Sequence, residues 1–316
     1  MADKKNKTLE IISVNISEKK GTIKLPVDSI RLTNEGVEND SHSGLWNRQV
    51  SLLGVESFRK FEKITGRKMI FGEFAENITT SGLELWKSRP LDRLRSDKVE
   101  LEITQIGKEC HGTSCTIFKE VGDCVMPKEG VFARVLKHGH LRAGDVLEYF
   151  PKVYTLHIIT LSDRASSGIY EDRSGPKIRE LMTQYFTRQK LEFSIASTLL
   201  PDDPGQLEPL LLKLKSEKTD LVITTGGTGI GPKDFTPDVI RKLIDREVPG
   251  IMDLIRIKYG QENPNALLSR SIAGVLGQTL IYALPGSVKA VVEYISEISK
   301  TILHSIYMLH SIDLHG

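Results

Sequence analysis

The stretch Asp220-Leu-Val-Ile-Thr-Thr-Gly-Gly-Thr-Gly-Ile-Gly-Pro-Lys-Asp234 decides the fold of the C-terminal half. Its apolar run predicts a buried strand that stops at Gly226-Gly227. The glycines then lie where an open parallel sheet binds ligands, at the carboxyl end of a strand. A tight strand-to-helix turn is the alternative interpretation. However, four glycines within six residues, with three threonines nearby, favour a cradle in which main-chain N–H groups approach an oxyanion or phosphate.

The glycine loop matches neither of two common nucleotide-binding motifs. A Walker A loop ends in Gly-Lys-Ser/Thr, whereas Pro232 follows Gly231. A G-x-G-x-x-G motif that started at Gly227 would need glycine where Pro232 stands. The loop is therefore neither a standard NTPase loop nor a dinucleotide fingerprint.

Strands and amphipathic helices alternate on both sides of this stretch. Apolar runs predict strands over 153–161, 220–225 and 280–284. Helical spacing predicts a capped helix after Ser174, a helix from Pro204 and one long helix from Val288 through Ile302. Thr236 is predicted to be the N-cap of another helix, with Pro237 at its first position. The order predicts an α/β three-layer domain with a mostly parallel sheet.

Two carboxylates at this sheet edge are candidate metal ligands. Asp234 directly follows the glycine loop, and Asp202-Asp203 lies between a predicted strand and the Pro204 helix. Carboxylates facing a phosphate cradle suit Mg²⁺, which prefers oxygen ligands and bridges to substrate phosphates. For Asp203 a helix cap is favoured over catalysis, and for Asp238 favourable charge in a first helical turn competes with a ligand role. Arg164 and Ser269-Arg270 are candidate phosphate contacts.

The N-terminal half has a different pattern of apolar residues. Its apolar runs are short and several alternate, as at Val99, Leu101 and Ile103, which predicts a β-rich domain. One helix is predicted over 55–64, where Val55, Phe58, Phe61 and Ile64 recur at helical spacing. A chain of 316 residues is long enough for about two domains, and we predict boundaries of 1–150 and 153–316.

Charge and cysteine usage limit the classes of function. A net charge of +2 excludes the charge excess typical of nucleic-acid or anionic-membrane binders. No run approaches the roughly 18 apolar residues of a spanning helix, so we expect a soluble, cytoplasmic protein. The three cysteines, Cys110, Cys115 and Cys124, cluster within fifteen residues, which favours thiol or metal chemistry over disulfides.

Six motifs follow one another between residues 153 and 308: Ser162-Asp-Arg-Ala-Ser-Ser-Gly, Pro201-Asp-Asp, Thr224-Thr-Gly-Gly-Thr-Gly, Asp234-Phe-Thr-Pro-Asp, Leu268-Ser-Arg-Ser and Leu284-Pro-Gly. In these motifs and their order, residues 153–308 resemble a MogA-type molybdopterin adenylyltransferase. The resemblance implies transfer of AMP from Mg·ATP to the phosphate of molybdopterin, in a usually trimeric protein that needs no pyridoxal phosphate. It implies that Asp202 and Asp234 are catalytic and hold Mg²⁺. The pterin- and nucleotide-binding residues it implies are Ser162, Arg164, Thr225, Gly226, Gly227, Thr228, Gly229, Asp238, Ser269, Arg270, Pro285 and Gly286.

Three motifs stand out in the N-terminal half: Glu38-Asn-Asp-Ser-His-Ser-Gly-Leu-Trp46, Gly72-Glu-Phe-Ala-Glu-Asn-Ile-Thr79 and Gly130-Val-Phe-Ala-Arg-Val-Leu136 through Leu141-Arg-Ala-Gly-Asp145. In these motifs, roughly residues 8–150 resemble a MOSC domain, which implies a β-barrel-like fold. Such domains carry one central cysteine, which falls on Cys110. The sequence departs from the pattern by Glu109, where proline is common, and by the two extra cysteines.

Several alternatives stay open at this point. Cys110 is interpreted as a thiol that binds molybdenum or tungsten cofactor or transfers sulfur, and burial as apolar residues is favoured for Cys115 and Cys124. A zinc site of Cys110, His111, Cys115 and Cys124 is disfavoured because paired C-x2-C spacing is missing. A molybdenum insertase or a sulfur-transfer protein is the expected partner, with a homotrimer formed through the C-terminal domain. The alternative function is a non-catalytic molybdenum or tungsten cofactor carrier or sensor.

Overall fold

The computed structural model describes residues 7–108 and 125–312. The described chain divides into two units, one formed by the residues up to Lys152 together with Ile312, and one by Val153–Ser311. Each unit is built around its own principal sheet. Among the described residues, no helix is both long and apolar enough to cross a bilayer.

The N-terminal unit is a closed, mostly antiparallel sheet with few helices. Its strands are β1 (Lys7–Ile16), β2 (Leu25–Val27), β3 (Ile30–Thr33), β4 (Gly36–Val37), β5 (Val50–Gly54), β6 (Ile78–Ser81), β7 (Arg93–Arg95), β8 (Glu100–Ile106), β9 (Val131–Lys137), β10 (Gly139–Leu141) and β11 (Val146–Phe150). Its described helices are α1 (Val55–Thr65), α2 (Met126–Glu129) and a 3₁₀ turn at Leu85–Lys87. The order β11-β7-β8-β9-β5-β6-β1 closes through the pairing of β1 with β11, while β2 extends β1 and β10-β3-β4 forms a small separate sheet. This confirms the β-rich, barrel-like prediction.

The alternating apolar residues that predict strands in this half also form the core of the closed sheet. Val99, Leu101 and Ile103 are fully buried in the apolar cluster inside the closed sheet. Helix α1 confirms the helical prediction, with Phe58 and Phe61 buried. Ile64 is 77% exposed. The helix ends one residue later at Thr65, and Gly66 caps it in the left-handed conformation.

The C-terminal unit is a six-stranded sheet with helices on both faces. Its strands are β12 (Val153–Leu161), β13 (Glu192–Leu200), β14 (Leu221–Thr225), β15 (Arg246–Glu247), β16 (Ala273–Leu276) and β17 (Thr279–Leu284). Its helices are α3 (Asp163–Ser166), α4 (Ser174–Arg188), α5 (Pro204–Ser216), α6 (Thr236–Leu243), α7 (Pro249–Gly260), α8 (Val288–Ile298) and α9 (Ile302–Leu309), with a 3₁₀ turn at Pro264–Leu268. In the order β13-β12-β14-β17-β16-β15, the first four strands pair in parallel, and β16 pairs antiparallel with both β17 and β15.

Apolar side chains join the helices to the sheet in three layers. On one face Leu207 and Leu211 of α5 and Ile240 of α6 are buried against the strands. On the other face α4 packs on β12 and against α8, and the Phe186 ring stacks on the Phe193 ring at 5.1 Å. The α/β three-layer prediction with a mostly parallel sheet is confirmed.

Two local predictions in this unit are wrong, and the structure identifies the residue that caps a third predicted helix. Helix α6 begins at Thr236, whose buried hydroxyl donates to the Gly226 carbonyl instead of capping the helix. The long helix predicted from Val288 through Ile302 breaks after Ile298, because Lys300 and Thr301 donate to carbonyls three residues back and tighten the last turn. Helix α4 is capped from outside: Asp172 Oδ1 accepts from the N–H groups of Ser174 and Gly175 at 3.0 and 3.1 Å.

Candidate functional site

The glycine loop is packed tightly between the ends of neighbouring strands. Gly226 has φ 104°, and a Cβ there would lie 2.2 Å from the Leu161 carbonyl oxygen at the end of β12. Only glycine fits such a position without displacing backbone. The Thr225 hydroxyl donates to the Pro285 carbonyl at 2.9 Å, and this bond ties the end of β14 to the segment after β17. The loop is therefore held in place before any ligand arrives.

Three consecutive amides of this loop are free to bind an anion. The Gly226 N–H donates to the Leu284 carbonyl, whereas the N–H groups of Gly227, Thr228 and Gly229 donate to no acceptor among the described residues. All three residues line a cavity. Successive unpaired N–H groups at a glycine loop form a concave site for phosphate or carboxylate oxygens. This geometry supports the cradle interpretation over a simple turn.

Two cavities lie on either side of this loop. The larger, of about 950 Å³, is lined by Ser162, Asp163, Arg164, Asp202, Gly227, Lys233, Asp234 and Gly286, together with residues near the start of α4. The smaller, of about 510 Å³, is lined by 226–230, Asn263, Ser269, Pro285, Gly286 and Tyr294 among others. Gly227, Asp234, Gly286 and Ser287 line both cavities. A ligand in either cavity would therefore contact the same four residues.

Asp202 and Asp234 line the larger cavity together, as their positions after parallel strands predict. Asp234 Oδ2 accepts from the Gly231 N–H at 2.8 Å and so closes the turn that precedes it. Asp202 Oδ2 accepts from the Asp163 N–H at 3.0 Å. Among the described residues, Oδ1 of each carboxylate has no hydrogen-bond partner. Asp203 caps α5 by accepting from the Gly205 N–H at 2.8 Å, as expected.

Asp163 and Lys233 are site residues that sequence reasoning missed. Asp163 Oδ2 lies 2.6 Å from Lys233 Nζ. The hydrogen bond from Lys233 lowers the pKa of Asp163, and the same bond raises the pKa of Lys233. Asp163 stands inside the Ser162-Asp-Arg motif directly after β12, and this placement was the available signal. Its partner is 70 residues away in the chain, which no local pattern indicates.

Arg270 is placed differently from the expected phosphate contact. Its guanidinium donates to both Asp238 carboxylate oxygens at 2.9 Å, to the Gly229 carbonyl at 2.8 Å, and to the Asp234 carbonyl. Neither Arg270 nor Asp238 lines either cavity, and Thr225 is buried behind the loop. Arg270 and Asp238 thus form an ion pair that, through the hydrogen bonds of Arg270 to two loop carbonyls, fastens the glycine loop; we call this ion pair the buckle. Ser162, Arg164, Ser269, Pro285 and 226–229 do line the cavities.

The N-terminal unit has a small cavity of its own with cationic side chains. It measures about 120 Å³ and is lined by His42, Trp46, Arg48, Ser51, Ala75, Asn77, Lys108, Met126 and Phe132. Asn77 Oδ1 accepts from the Ser51 N–H and hydroxyl at 3.1 and 2.9 Å, which fixes this wall. Cys110, His111, Cys115 and Cys124 lie outside the described residues, so the expected thiol site is not described here.

A buried polar network supports the same unit. Lys24 Nζ lies 2.5 Å from Asp40, and both side chains are 1% exposed. Burial opposes ionisation of Asp40, but hydrogen bonds from His42 and the Lys24 charge outweigh it and lower the pKa of Asp40. Burial raises the pKa of Glu76 to about 7, although Glu76 Oε1 accepts from the Gly72 N–H and the Thr79 hydroxyl.

Two family models match the chain, one in each unit. The model described as "Probable molybdopterin binding domain" matches residues 157–305, and the MOSC domain model matches residues 39–148. A molybdopterin adenylyltransferase of Helicobacter pylori is 36% identical over 158 residues, which are 49% of this chain and 88% of that protein. The chain belongs to the molybdopterin adenylyltransferase family. Its MOSC domain precedes the molybdopterin-binding domain, so the MOSC–MogA-type fusion indicated by the sequence motifs is confirmed.

Other proteins are similar over the same share of the chain. The molybdopterin adenylyltransferase of Escherichia coli K12 is 35% identical over 155 residues, 48% of this chain and 78% of that protein. The solved MoaB structure from Thermus thermophilus has 36% sequence identity and a TM-score of 0.45, and covers 50% of this chain and 98% of that one. The two molybdopterin adenylyltransferases compared above align with about half of this chain.

The family implies Mg²⁺, and the residues of the larger cavity fit it as part of Mg·ATP. The described residues contain no cluster of three or more His, Cys, Asp or Glu side chains able to cage a metal. Asp202 and Asp234 each keep one carboxylate oxygen without a described partner. Mg²⁺ typically keeps waters and binds through one or two carboxylates plus substrate phosphates. Two carboxylates that each keep an oxygen available, without a complete set of protein ligands among the described residues, fit a metal ion that binds together with a nucleotide.

Proposed function

We propose that the C-terminal unit of this protein is a molybdopterin adenylyltransferase that uses Mg·ATP. The observation that carries the proposal is that Asp202, Asp234 and Gly227 of the free-amide loop line one cavity. A binding protein needs the cradle alone. Paired carboxylates beside a phosphate cradle also allow charge neutralisation during phosphoryl chemistry.

Each part of the site has a role in this proposal. The amides of Gly227, Thr228 and Gly229 hold the molybdopterin phosphate, and Asp202 and Asp234 hold the metal. When bound, Mg²⁺ neutralises charge on the ATP phosphates. A phosphate oxygen of molybdopterin attacks the α-phosphorus in line. The new O–P bond forms as the bond to the β-phosphate oxygen breaks, and pyrophosphate leaves with that electron pair. Positioning and charge neutralisation supply most of the rate.

The MOSC unit acts on the same cofactor in this proposal. We infer that Cys110 binds molybdenum or tungsten cofactor or carries sulfur for transfer, because it matches the single cysteine of such domains. Lys108, two residues before Cys110, and Arg48 line the small cavity and bring positive charge suited to an anionic ligand. A molybdenum insertase or sulfur-transfer protein is the proposed partner. A cytoplasmic homotrimer formed through the C-terminal unit is the proposed assembly, and sedimentation equilibrium tests its stoichiometry.

One assay separates the enzyme from a carrier. Full-length protein, molybdopterin and Mg·ATP are mixed, and pyrophosphate and adenylylated molybdopterin are measured together. The enzyme proposal predicts that both form with turnover and in equal amounts. Bound molybdopterin without pyrophosphate release would show a carrier or sensor instead. Omitting molybdopterin is the control, because simple ATP hydrolysis would continue without it.

A further inference from the structure

Two arginine side chains lie over the ring of Tyr170 at the wall of the larger cavity. The guanidinium carbon of Arg164 is 5.8 Å from the centre of the Tyr170 ring, and that of Arg173 is 5.7 Å from it. All three residues line the cavity that Asp202 and Asp234 share. Stacking on an aromatic ring orients a guanidinium while leaving its N–H donors available.

Neither guanidinium has an ionic partner among the described residues. No carboxylate pairs with Arg164 or Arg173 in that part of the chain. The nearest acid in sequence is occupied: Asp172 accepts from the Thr160 hydroxyl at 2.8 Å and from the Ser174 N–H at 3.0 Å. Asp163 is held by Lys233. Two arginines without an ion-pair partner among the described residues therefore line one cavity.

The main chain holds this pair in place. The N–H groups of Ile169 and Tyr170 both donate to the Arg164 carbonyl, at 2.9 and 3.1 Å, after Gly168 turns the chain with φ 75°. Arg173 directly precedes α4, whose first amides are already satisfied by Asp172. An anion at this end of the cavity would be held by the arginines and not by the helix N-terminus.

We propose that Arg164, Tyr170 and Arg173 form a clamp for the β- and γ-phosphates of the nucleotide. The proposal rests on the proposed adenylylation, because these phosphates become the pyrophosphate that leaves when the α-phosphorus bond breaks. Guanidinium groups bind phosphate oxygens through paired N–H donors. The carboxylates of Asp202 and Asp234 line the same cavity and are suited to the metal, so the cavity offers both cationic and anionic groups to a Mg·nucleotide. The clamp would neutralise the leaving group as charge develops on it.

The test measures the binding of inorganic pyrophosphate, ATP and AMP, each with Mg²⁺, to the full-length protein by titration calorimetry. Arg164→Gln and Arg173→Gln are expected to weaken pyrophosphate and ATP binding about tenfold or more, as loss of a charge-assisted contact predicts. AMP binding should change less than about twofold. Arg188→Gln is the matched control, because Arg188 lies at the other end of α4 and lines a different cavity. It should leave all three affinities unchanged.

Three results would overturn the clamp: no pyrophosphate binding by the wild-type protein, unchanged pyrophosphate affinity in both variants, or equal weakening of AMP and pyrophosphate. Tyr170 provides a second check, because Tyr170→Phe keeps the ring and should retain pyrophosphate affinity, while Tyr170→Ala should lose it. Equal affinity in these two variants would remove Tyr170 from the clamp. Failure of the proposed function is distinguishable: pyrophosphate would bind through the arginines, yet molybdopterin and ATP would yield none.

Discussion

Asp163 and Asp202 each donate their main-chain N–H to the other's carboxylate, at 3.0 Å in both directions. This reciprocal pair joins the segment after β12 to the segment after β13. It fixes Asp202 Oδ2 and so orients the remaining oxygen of Asp202. The partner of the pair, Asp163, also holds Lys233 from the far side of the glycine loop. One residue thus connects three loops at the site.

Asp163 is predicted to be a positioning residue. For turnover, the side-chain oxygen that accepts from the Asp202 N–H should matter more than the negative charge of Asp163. Asp163→Asn keeps an oxygen that accepts from the Asp202 N–H, whereas Asp163→Ala removes it. We expect the alanine variant to release pyrophosphate about tenfold more slowly than the asparagine variant, because Asp202 loses its fixed orientation. Initial rates with molybdopterin and Mg·ATP measure the difference. If the rate of pyrophosphate release falls equally in both variants, the contribution of Asp163 lies in its charge and not in this hydrogen bond.

The buckle of Arg270 and Asp238 is predicted to act through the shape of the glycine loop. Arg270→Lys cannot reach the Gly229 and Asp234 carbonyls and the Asp238 carboxylate together. We expect it to slow turnover about 10- to 100-fold through misplacement of the loop. Asp238→Asn should have a smaller effect, and the double variant should resemble Arg270→Lys alone. Strictly additive losses would instead favour a separate contact of Arg270 with phosphate.

Much of this site follows from the sequence, because parallel strands bring their carboxyl ends to one edge. From that rule, the sequence predicts that Asp202, Asp234 and the glycine loop lie together. The pairing of Arg270 with Asp238 could not be predicted in this way, since the two residues are 32 apart and meet only through tertiary packing. The break between α8 and α9 was missed because 299–301 contains neither glycine nor proline.

Glu76 is predicted to make the N-terminal unit less stable as pH rises. Its pKa is raised from 4.5 to about 7 by burial, so the folded state binds the extra proton. The free energy of unfolding should therefore fall between about pH 4.5 and pH 7 and then level off. Glu76→Gln removes this dependence, on the order of 3 kcal/mol across the window. Urea unfolding at pH 5 and pH 8 measures it.

Tryptophan fluorescence makes that measurement specific to one unit. The chain has two tryptophans, Trp46 and Trp86, and both lie in the N-terminal unit. Other titrating groups contribute equally to the wild-type protein and the variant, so the difference between the two isolates Glu76. Parallel pH profiles for the two proteins would contradict the assignment.

Cys110 is predicted to be the cysteine whose replacement by serine removes cofactor or sulfur chemistry from the MOSC unit. Its match to the single cysteine of MOSC domains and the nearby Lys108 motivate the prediction. Cys115→Ser and Cys124→Ser should change stability by about 1 kcal/mol at most. Bound pterin, metal and persulfide are measured for each variant. Equal losses at all three positions would favour a joint metal site, and no loss at Cys110 would reject the thiol role.

The central claim is that Asp202 and Asp234 serve phosphoryl transfer while the glycine loop holds the pterin. The most direct measurement compares pyrophosphate release and molybdopterin affinity in the wild-type protein, Asp202→Asn and Asp234→Asn. Both variants should lose about 100-fold or more in turnover, while the dissociation constant for molybdopterin changes only about twofold. Wild-type turnover in either variant would contradict the assignment of that carboxylate.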